Sequence, residues 1–291
     1  MSDHDRQHLP KWMKMRSRLP ADEQFRKTRD IVALNHLHTI CSSGNCPNIG
    51  ECWSAGTATF LILGDICTRN CKFCGVSSGK PAPPDRDEPL RLAETILKMH
   101  LKHAVITSVD RDDLPDGGAG FWADTIRTIK RVNPHITMET LIPDFDGEPS
   151  RIQQIINEQP DVISHNLETV RRLTPQIRSR AKYETSLSVL HQIAQSGIVA
   201  KSGLMLGLGE EIFEVEEAMD DLIQTGCSVL TLGQYMQPTR DHMPVSRWIK
   251  PELFEELRQT AFSKGFVHVE SDPLVRSSYH AEKHVRKTIS L

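Results

Sequence analysis

Thr57-Ala-Thr-Phe-Leu-Ile-Leu-Gly-Asp-Ile-Cys67-Thr-Arg-Asn-Cys71-Lys-Phe-Cys74-Gly75 decides how the rest of this 291-residue chain is read. A run of β-branched and apolar residues stops abruptly in three thiols spaced C-x3-C-x2-C. A strand that ends in a short Cys loop presents its thiolates together at one end of a sheet. Three soft ligands suit an iron–sulfur cubane, and they leave one of its irons open for something else. A structural zinc site would more often pair two C-x2-C modules and add a fourth Cys or His. The missing fourth ligand is the informative feature.

Upstream lies a second triplet, Cys41-Ser-Ser-Gly-Asn-Cys46-Pro-Asn-Ile-Gly-Glu-Cys52-Trp53, spaced C-x4-C-x5-C. Gly44 and Pro47 are turn formers, so this segment folds tightly around something. Six thiols are too many for one cubane, and two separate clusters is the better count. The seventh cysteine, Cys227, stands apart and reads as a small buried hydrophobe.

Composition sets the frame. Apolar residues make up 38% and charged residues 25%, an ordinary globular balance. The formal charge of −3 gives no electrostatic case for nucleic acid. No apolar run approaches the roughly 20 residues that span a bilayer. The N-terminal residues lack the apolar centre of a signal peptide, and Asp3 and Asp5 argue against a transit peptide. A cytoplasmic chain is expected, in which cysteines serve metal or catalysis rather than disulfides.

Residues 1 to about 30 are polar and basic, with no core of their own. Ile31, Leu34 and Leu37 then repeat at helical spacing ahead of Cys41. Strands are expected over Thr57–Ile66, His103–Asp110, Ile136–Ile142, Asp161–Leu167, Val199–Leu208 and Ser228–Met236. Helices are expected over Arg91–Leu101, Gly120–Arg131, Ser150–Asn157, Tyr183–Ser196, Glu211–Gln224 and Glu252–Ser263. Strands joined through helices imply an α/β fold with a parallel sheet. Six such units fall two short of a closed eight-unit barrel, so an open one fits. Its ligands would bind at the carboxyl ends of the strands, where the Cys67–Cys74 loop emerges. The acids Glu211, Glu214, Glu216, Glu217, Asp220 and Asp221 interleave with apolar residues and read as a solvated helix face.

The first-quoted Cys loop, with the aromatic Phe73 before its last thiol, resembles that of the radical S-adenosylmethionine (SAM) enzymes. That resemblance implies a partial (β/α)6 TIM barrel over residues 57–265, with extensions at 1–56 and 266–291. It implies that Cys67, Cys71 and Cys74 hold a [4Fe–4S] cluster whose open iron is chelated by SAM. Electron transfer then yields a 5′-deoxyadenosyl radical that takes hydrogen from an unactivated carbon. Gly203-x3-Gly207-x2-Glu210 resembles the segment that lies against the adenine, where glycine permits close approach. Many members have Gly-Gly-Glu where this chain has Gly117-Gly-Ala119. Thr107 and Asp110 are the candidates for the lost contact to the SAM amino group, unless they only form a polar turn. Glu139 and Asn166 stand where a side chain reaches a ribose hydroxyl, or are satisfied core polar residues.

Both triplets together with Arg276-Ser-Ser-Tyr279 resemble the lipoyl synthase family, over nearly the whole chain from Pro10 to His280. The resemblance implies insertion of two sulfur atoms, at the sixth and eighth carbons of an octanoyl chain borne on a carrier lysine. Cys41, Cys46 and Cys52 would hold an auxiliary [4Fe–4S] cluster that donates its sulfur. A tail serine would close that cluster. Spacing leaves Ser277 and Ser278 equal, and the family points to Ser278. Expected partners are octanoylated lipoyl carrier domains of 2-oxoacid dehydrogenase E2 subunits and the glycine cleavage H protein. A flavodoxin or ferredoxin would supply electrons, and an iron–sulfur carrier would rebuild the spent cluster. A monomer is expected.

Overall fold

The structure, a computed structural model, describes residues 9–14 and 22–288. Its frame is one sheet in the order β1-β2-β5-β6-β7-β8-β9-β10. These strands are β1 (His38–Thr39), β2 (Thr59–Ile62), β5 (His103–Ser108), β6 (Thr137–Leu141), β7 (Val162–Ser164), β8 (Val199–Leu206), β9 (Val229–Gln234) and β10 (His268–Ser271). Two short strands, β3 (Ile66–Cys67) and β4 (Ser77–Ser78), form a separate ladder. From β2 to β10 every pairing is parallel, and only β1 runs antiparallel, against β2. The outer strands β1 and β10 are not paired to each other, so the sheet stays open.

All six expected strand–helix units are present, and the sheet then gains β10 beyond them. The first strand is shorter than its apolar run. Leu63 takes φ 68, which turns the chain out of the ladder after Ile62. Cys67 then re-enters the small β3–β4 ladder, where its carbonyl accepts from Gly79 at 2.9 Å. This ladder closes the base of the Cys loop.

Helices cover the outer face because their apolar residues recur at helical spacing. In Ala119–Val132, Trp122, Ile126 and Ile129 are fully buried. In Pro251–Lys264, Phe254, Leu257 and Ala261 play the same part. The capping box Glu211/Glu214 opens Ile212–Gln224. Glu214 itself departs from the expected solvated face, since it is buried against Arg172 at 2.8 Å.

One expectation about the N-terminal segment is corrected. The described Leu9 and Met13 pack with Leu274, Met236 and Trp248, joining a core built with the tail rather than forming one of their own. The helix begins earlier, at Glu23, with Asp22 capping Phe25 N–H, and ends at Leu34. Its buried face is Thr28 and Val32, while Leu34 is 78% exposed. Thr28 donates to the Trp53 carbonyl at 2.9 Å, and that bond selects the face.

Candidate active site

The Cys67–Cys74 loop is braced from three sides. Asp110 N–H and Arg69 N–H both donate to the Cys67 sulfur, at 3.3 and 3.4 Å. Lys72 N–H donates to the Ile177 carbonyl at 2.8 Å, and Met243 N–H donates to the Lys72 carbonyl at 2.9 Å. His242 Nε2 lies 2.8 Å from the Cys74 carbonyl and so donates to it. Beneath the loop Arg69 is buried among Asp110 (3.4 Å), Asp112 (2.8 Å), Asp144 (2.8 Å) and Asp146 (3.4 Å). Burial would lower its pKa, but hydrogen bonds to Asp112 and Asp144 raise it further than burial takes away. Arg69 is a permanent cation holding the β5–loop and β6–loop acids together.

A cavity of about 330 Å³ opens beside this loop, at the carboxyl ends of the strands. Cys67, Cys71, Phe73, Cys74, Thr107, Asp110, Asn166 and Gly203 all line it. Glu139 does not. It is fully buried, with Oε1 and Oε2 each 2.8 Å from Lys201 Nζ and Oε1 also accepting from Ser164 at 3.0 Å. Its carboxylate is spent inside the sheet, so the expected ribose contact is withdrawn. Glu210 is likewise off the cavity, since its two oxygens accept from Gly207 and Leu208 N–H. Thr107 donates to the Leu141 carbonyl at 3.1 Å, which leaves its oxygen as an acceptor only. Burial pushes Asp110 up to about 6, against the pull of Arg69.

The same cavity touches the upstream Cys segment through Ile40, Gly44, Asn45 and Pro47, and the tail through Val275, Arg276 and Ser277. Ser277 rather than Ser278 forms its wall, and Ser278 is half-buried beside it. Asn48 Nδ2 donates to the Leu274 carbonyl at 2.7 Å, and the Tyr279 hydroxyl donates to Glu51 at 3.0 Å. Gly233 on β9 makes the tail's path possible, because a Cβ there would stand 2.1 Å from the Val275 carbonyl oxygen.

The donor set fits iron–sulfur. Burial pushes the Cys52 thiol up to about 12, with Cys41 and Cys46 adding to the rise. Burial likewise pushes Cys74 up to about 12, with Cys71 and Cys67 adding. Within each triplet the sulfurs therefore lie close enough to feel one another's charge, and metal binding must release their protons. Among the described residues no three His, Cys, Asp or Glu side chains converge on a point for a single ion. A cubane needs no such convergence, because each thiolate takes its own iron. The cavity also fits a small polar cofactor. Asn166 Oδ1 is buried on its wall with no hydrogen-bond partner. At Gly203 an added Cβ would lie 3.0 Å from that atom and 2.6 Å from Thr231 Oγ1, so glycine keeps the wall clear.

Several lining groups carried no sequence signal. His165 is buried between the Ile142 carbonyl and Ser186, each at 2.9 Å, and burial followed by Arg178 pushes it down to about 4. It is a neutral spacer. Arg178, bonded to Ser186 at 2.7 Å, is the cation that faces the cavity there. Lys201, off the cavity, was not singled out in the sequence, although it is the one charged residue in Val199–Leu206.

No helix among the described residues is long and apolar enough to cross a membrane. Residues 61–222 match the family model of the radical SAM superfamily. A lipoyl synthase of Bacteroides fragilis (strain YCH46) is 59% identical over 286 residues, spanning 98% of this chain and 99% of that protein. One of Parabacteroides distasonis is 61% identical over 281 residues, spanning 96% and 99%. Among solved structures, methylornithine synthase (PylB) aligns with a TM-score of 0.54 at 12% identity, covering 87% of this chain and 73% of that one. The [FeFe]-hydrogenase maturase HydG aligns at 0.51 and 15% identity, covering 94% and 68%. At such identities these two share the fold alone.

Proposed function

This chain belongs to the lipoyl synthase family of the radical SAM superfamily, and we propose that the cavity beside the Cys67–Cys74 loop holds an acyl chain between a radical source and a sulfur source. Membership makes it a sulfur-inserting enzyme that uses SAM and a [4Fe–4S] cluster and acts on lipoyl carrier substrates. The finer reading is insertion at the sixth and eighth carbons of an octanoyl-lysine. Its carriers would be 2-oxoacid dehydrogenase E2 subunits and the glycine cleavage H protein, served by a monomeric enzyme. A flavodoxin or ferredoxin would be its reductant, and an iron–sulfur carrier would restore it.

The observation that carries this reading is that a single cavity is walled by both Cys segments and by the tail. Cys67, Cys71 and Cys74 would hold the SAM-binding cluster. When bound and reduced, that pair supplies a carbon radical able to take hydrogen from an unactivated carbon. Asn166 would accept a hydrogen bond from the cofactor, while Phe73 and Gly203 shape the wall around it. Thr107 and Asp110 present acceptors where Gly-Gly-Glu is missing. Ile40, Leu61, Val109, Ile142, Met205 and Val275 form apolar wall suited to an aliphatic chain, and they exclude water from it. Cys41, Cys46 and Cys52 would hold the auxiliary cluster, which is consumed as a substrate. Ser278 would complete its ligand set. Support for that comes from the bonds to Asn48 and Glu51, which tie the chain on both sides of Ser278 to the Cys46–Cys52 segment.

Anaerobic incubation of an octanoylated carrier peptide with SAM and a reductant tests the proposal by mass spectrometry. Two sulfurs should enter, and none with Cys71→Ala, which should also lose SAM cleavage. Cys46→Ala should keep SAM cleavage and lose sulfur transfer. Normal product from Cys46→Ala would refute the donor role of that triplet.

A further inference from the structure

Lys201 is fully buried on β8, and its ammonium sits among four acceptors. They are Glu139 Oε1 and Oε2 at 2.8 Å each, the Ser277 carbonyl at 2.5 Å and His284 Nδ1 at 3.2 Å. An ammonium has three protons, so the carboxylate shares one or two while the others reach the carbonyl and the ring. His284 must accept, which makes it the neutral tautomer with its proton on Nε2. Three parts of the molecule meet at this nitrogen: the β6 carboxylate, the turn of Arg276-Ser-Ser-Tyr279, and the terminal helix Glu282–Thr288.

An ion pair inside a sheet gains little by itself, since desolvation offsets most of the attraction. Its use lies in where it points. Removing the cation would strand a buried carboxylate and leave the Ser277 carbonyl without its donor, and neither loss concerns SAM. Neither Lys201 nor Glu139 lines the cavity, so the pair acts from below.

We infer that Lys201, oriented by Glu139, is a positioning residue for the sulfur-donating half: it pins the Ser277 carbonyl so that the neighbouring serine hydroxyl faces the upstream Cys segment. This rests on the reading that a tail serine closes the auxiliary cluster. The tail is thereby clasped from two directions. Asn48 and Glu51 hold its flanks from the N-terminal segment, and Lys201 holds its middle from inside the sheet.

The test uses full-length Lys201→Met/Glu139→Gln, which removes both charges together so that no lone ion is buried and the fold is kept. Lys201→Met alone serves as the harsher companion. In cluster-free protein, hydrogen exchange of residues 274–288 should quicken at least tenfold in the double variant, while amides of β5–β8 exchange as in the wild type. After anaerobic reconstitution, iron should fall from about eight per chain toward about four, with SAM cleavage retained and sulfur insertion lost. Unchanged exchange in the tail overturns the inference, whatever the iron content. A loosened tail with iron and sulfur insertion intact overturns it too. Wild-type protein that itself holds only about four irons would instead sink the auxiliary-cluster reading, leaving the exchange result to judge the clasp alone.

Discussion

The hydroxyl of Tyr279 donates to Glu51 at 3.0 Å, joining residues 228 positions apart in the chain. Glu51 precedes Cys52, and Tyr279 follows the two tail serines. On the proposed reading, the sulfur-donating half of the site would therefore be assembled from segments far apart in the sequence, whereas the cluster thiols of the radical-generating half would come from a single eight-residue loop.

Ser278 is the sharpest consequence of this arrangement. Ser278→Ala should permit SAM cleavage and impair sulfur insertion about tenfold or more, because the auxiliary cluster would lose a supporting group. Ser278→Cys should hold the auxiliary cluster more firmly and release sulfur poorly. Labelled cluster sulfide reaching the product equally well from wild type and Ser278→Cys would end this account. A loss confined to Ser277 variants would move the ligand by one residue.

Gly233→Ala probes the same assembly through packing. A methyl placed 2.1 Å from the Val275 carbonyl must push the tail off β9, at a cost of about 1–3 kcal/mol typical of overpacking. Sulfur insertion should fall while secondary structure by circular dichroism is unchanged. Full activity in this variant would show that the tail has another place to dock.

Asn166→Ala concerns the cofactor. Its buried, unpartnered oxygen is expected to accept from SAM, and loss of one neutral hydrogen bond is worth about 0.5–1.5 kcal/mol. Equilibrium dialysis of reconstituted enzyme should give a several-fold weaker SAM affinity. Equal affinity would remove Asn166 from the binding set.

Glu88 makes stability depend on pH. Burial pushes its carboxyl from 4.5 up to about 7, and Oε2 accepts from Leu63 N–H at 2.9 Å. The folded chain thus holds a proton that the unfolded chain has released between those values. This contribution is full below pH 4.5 and is lost as pH rises through about 7. Glu88→Gln accepts the same bond without the ionisation. Urea unfolding of cluster-free protein should show it more stable than wild type at pH 8 by up to roughly 3 kcal/mol, with little difference near pH 4. A difference that does not change with pH would contradict the assignment.

Alternating strand and helix patterns made the parallel sheet legible, and the Cys spacings singled out both thiolate loops, because these signals are local. Partnerships across the fold were not. Glu139 and Lys201 are 62 residues apart with β7 between their strands. A period of two says that each lies on one face of its strand, but not that the two face each other. Leu34 fits the helical repeat yet stays exposed, because Thr28 bonds to Trp53 and turns the other side inward. β10 is four residues long, His268–Ser271, with Val269 its one apolar residue, too few for periodicity to register.

The clasp between the chain's distant parts also sets a clock on biosynthesis. A ribosome adding 5–20 residues each second needs roughly 10–50 s to pass from Glu51 to Tyr279, separated by 228 positions. During that interval Cys41, Cys46 and Cys52 are already made, while Tyr279 has yet to exist. The Cys67–Cys74 loop meets its Asp110 and Asp112 brace within the next 45 residues. The nascent chain thus lays down the Asp110 and Asp112 side of that brace early, whereas His242, Met243 and then Tyr279 arrive only near the end of synthesis.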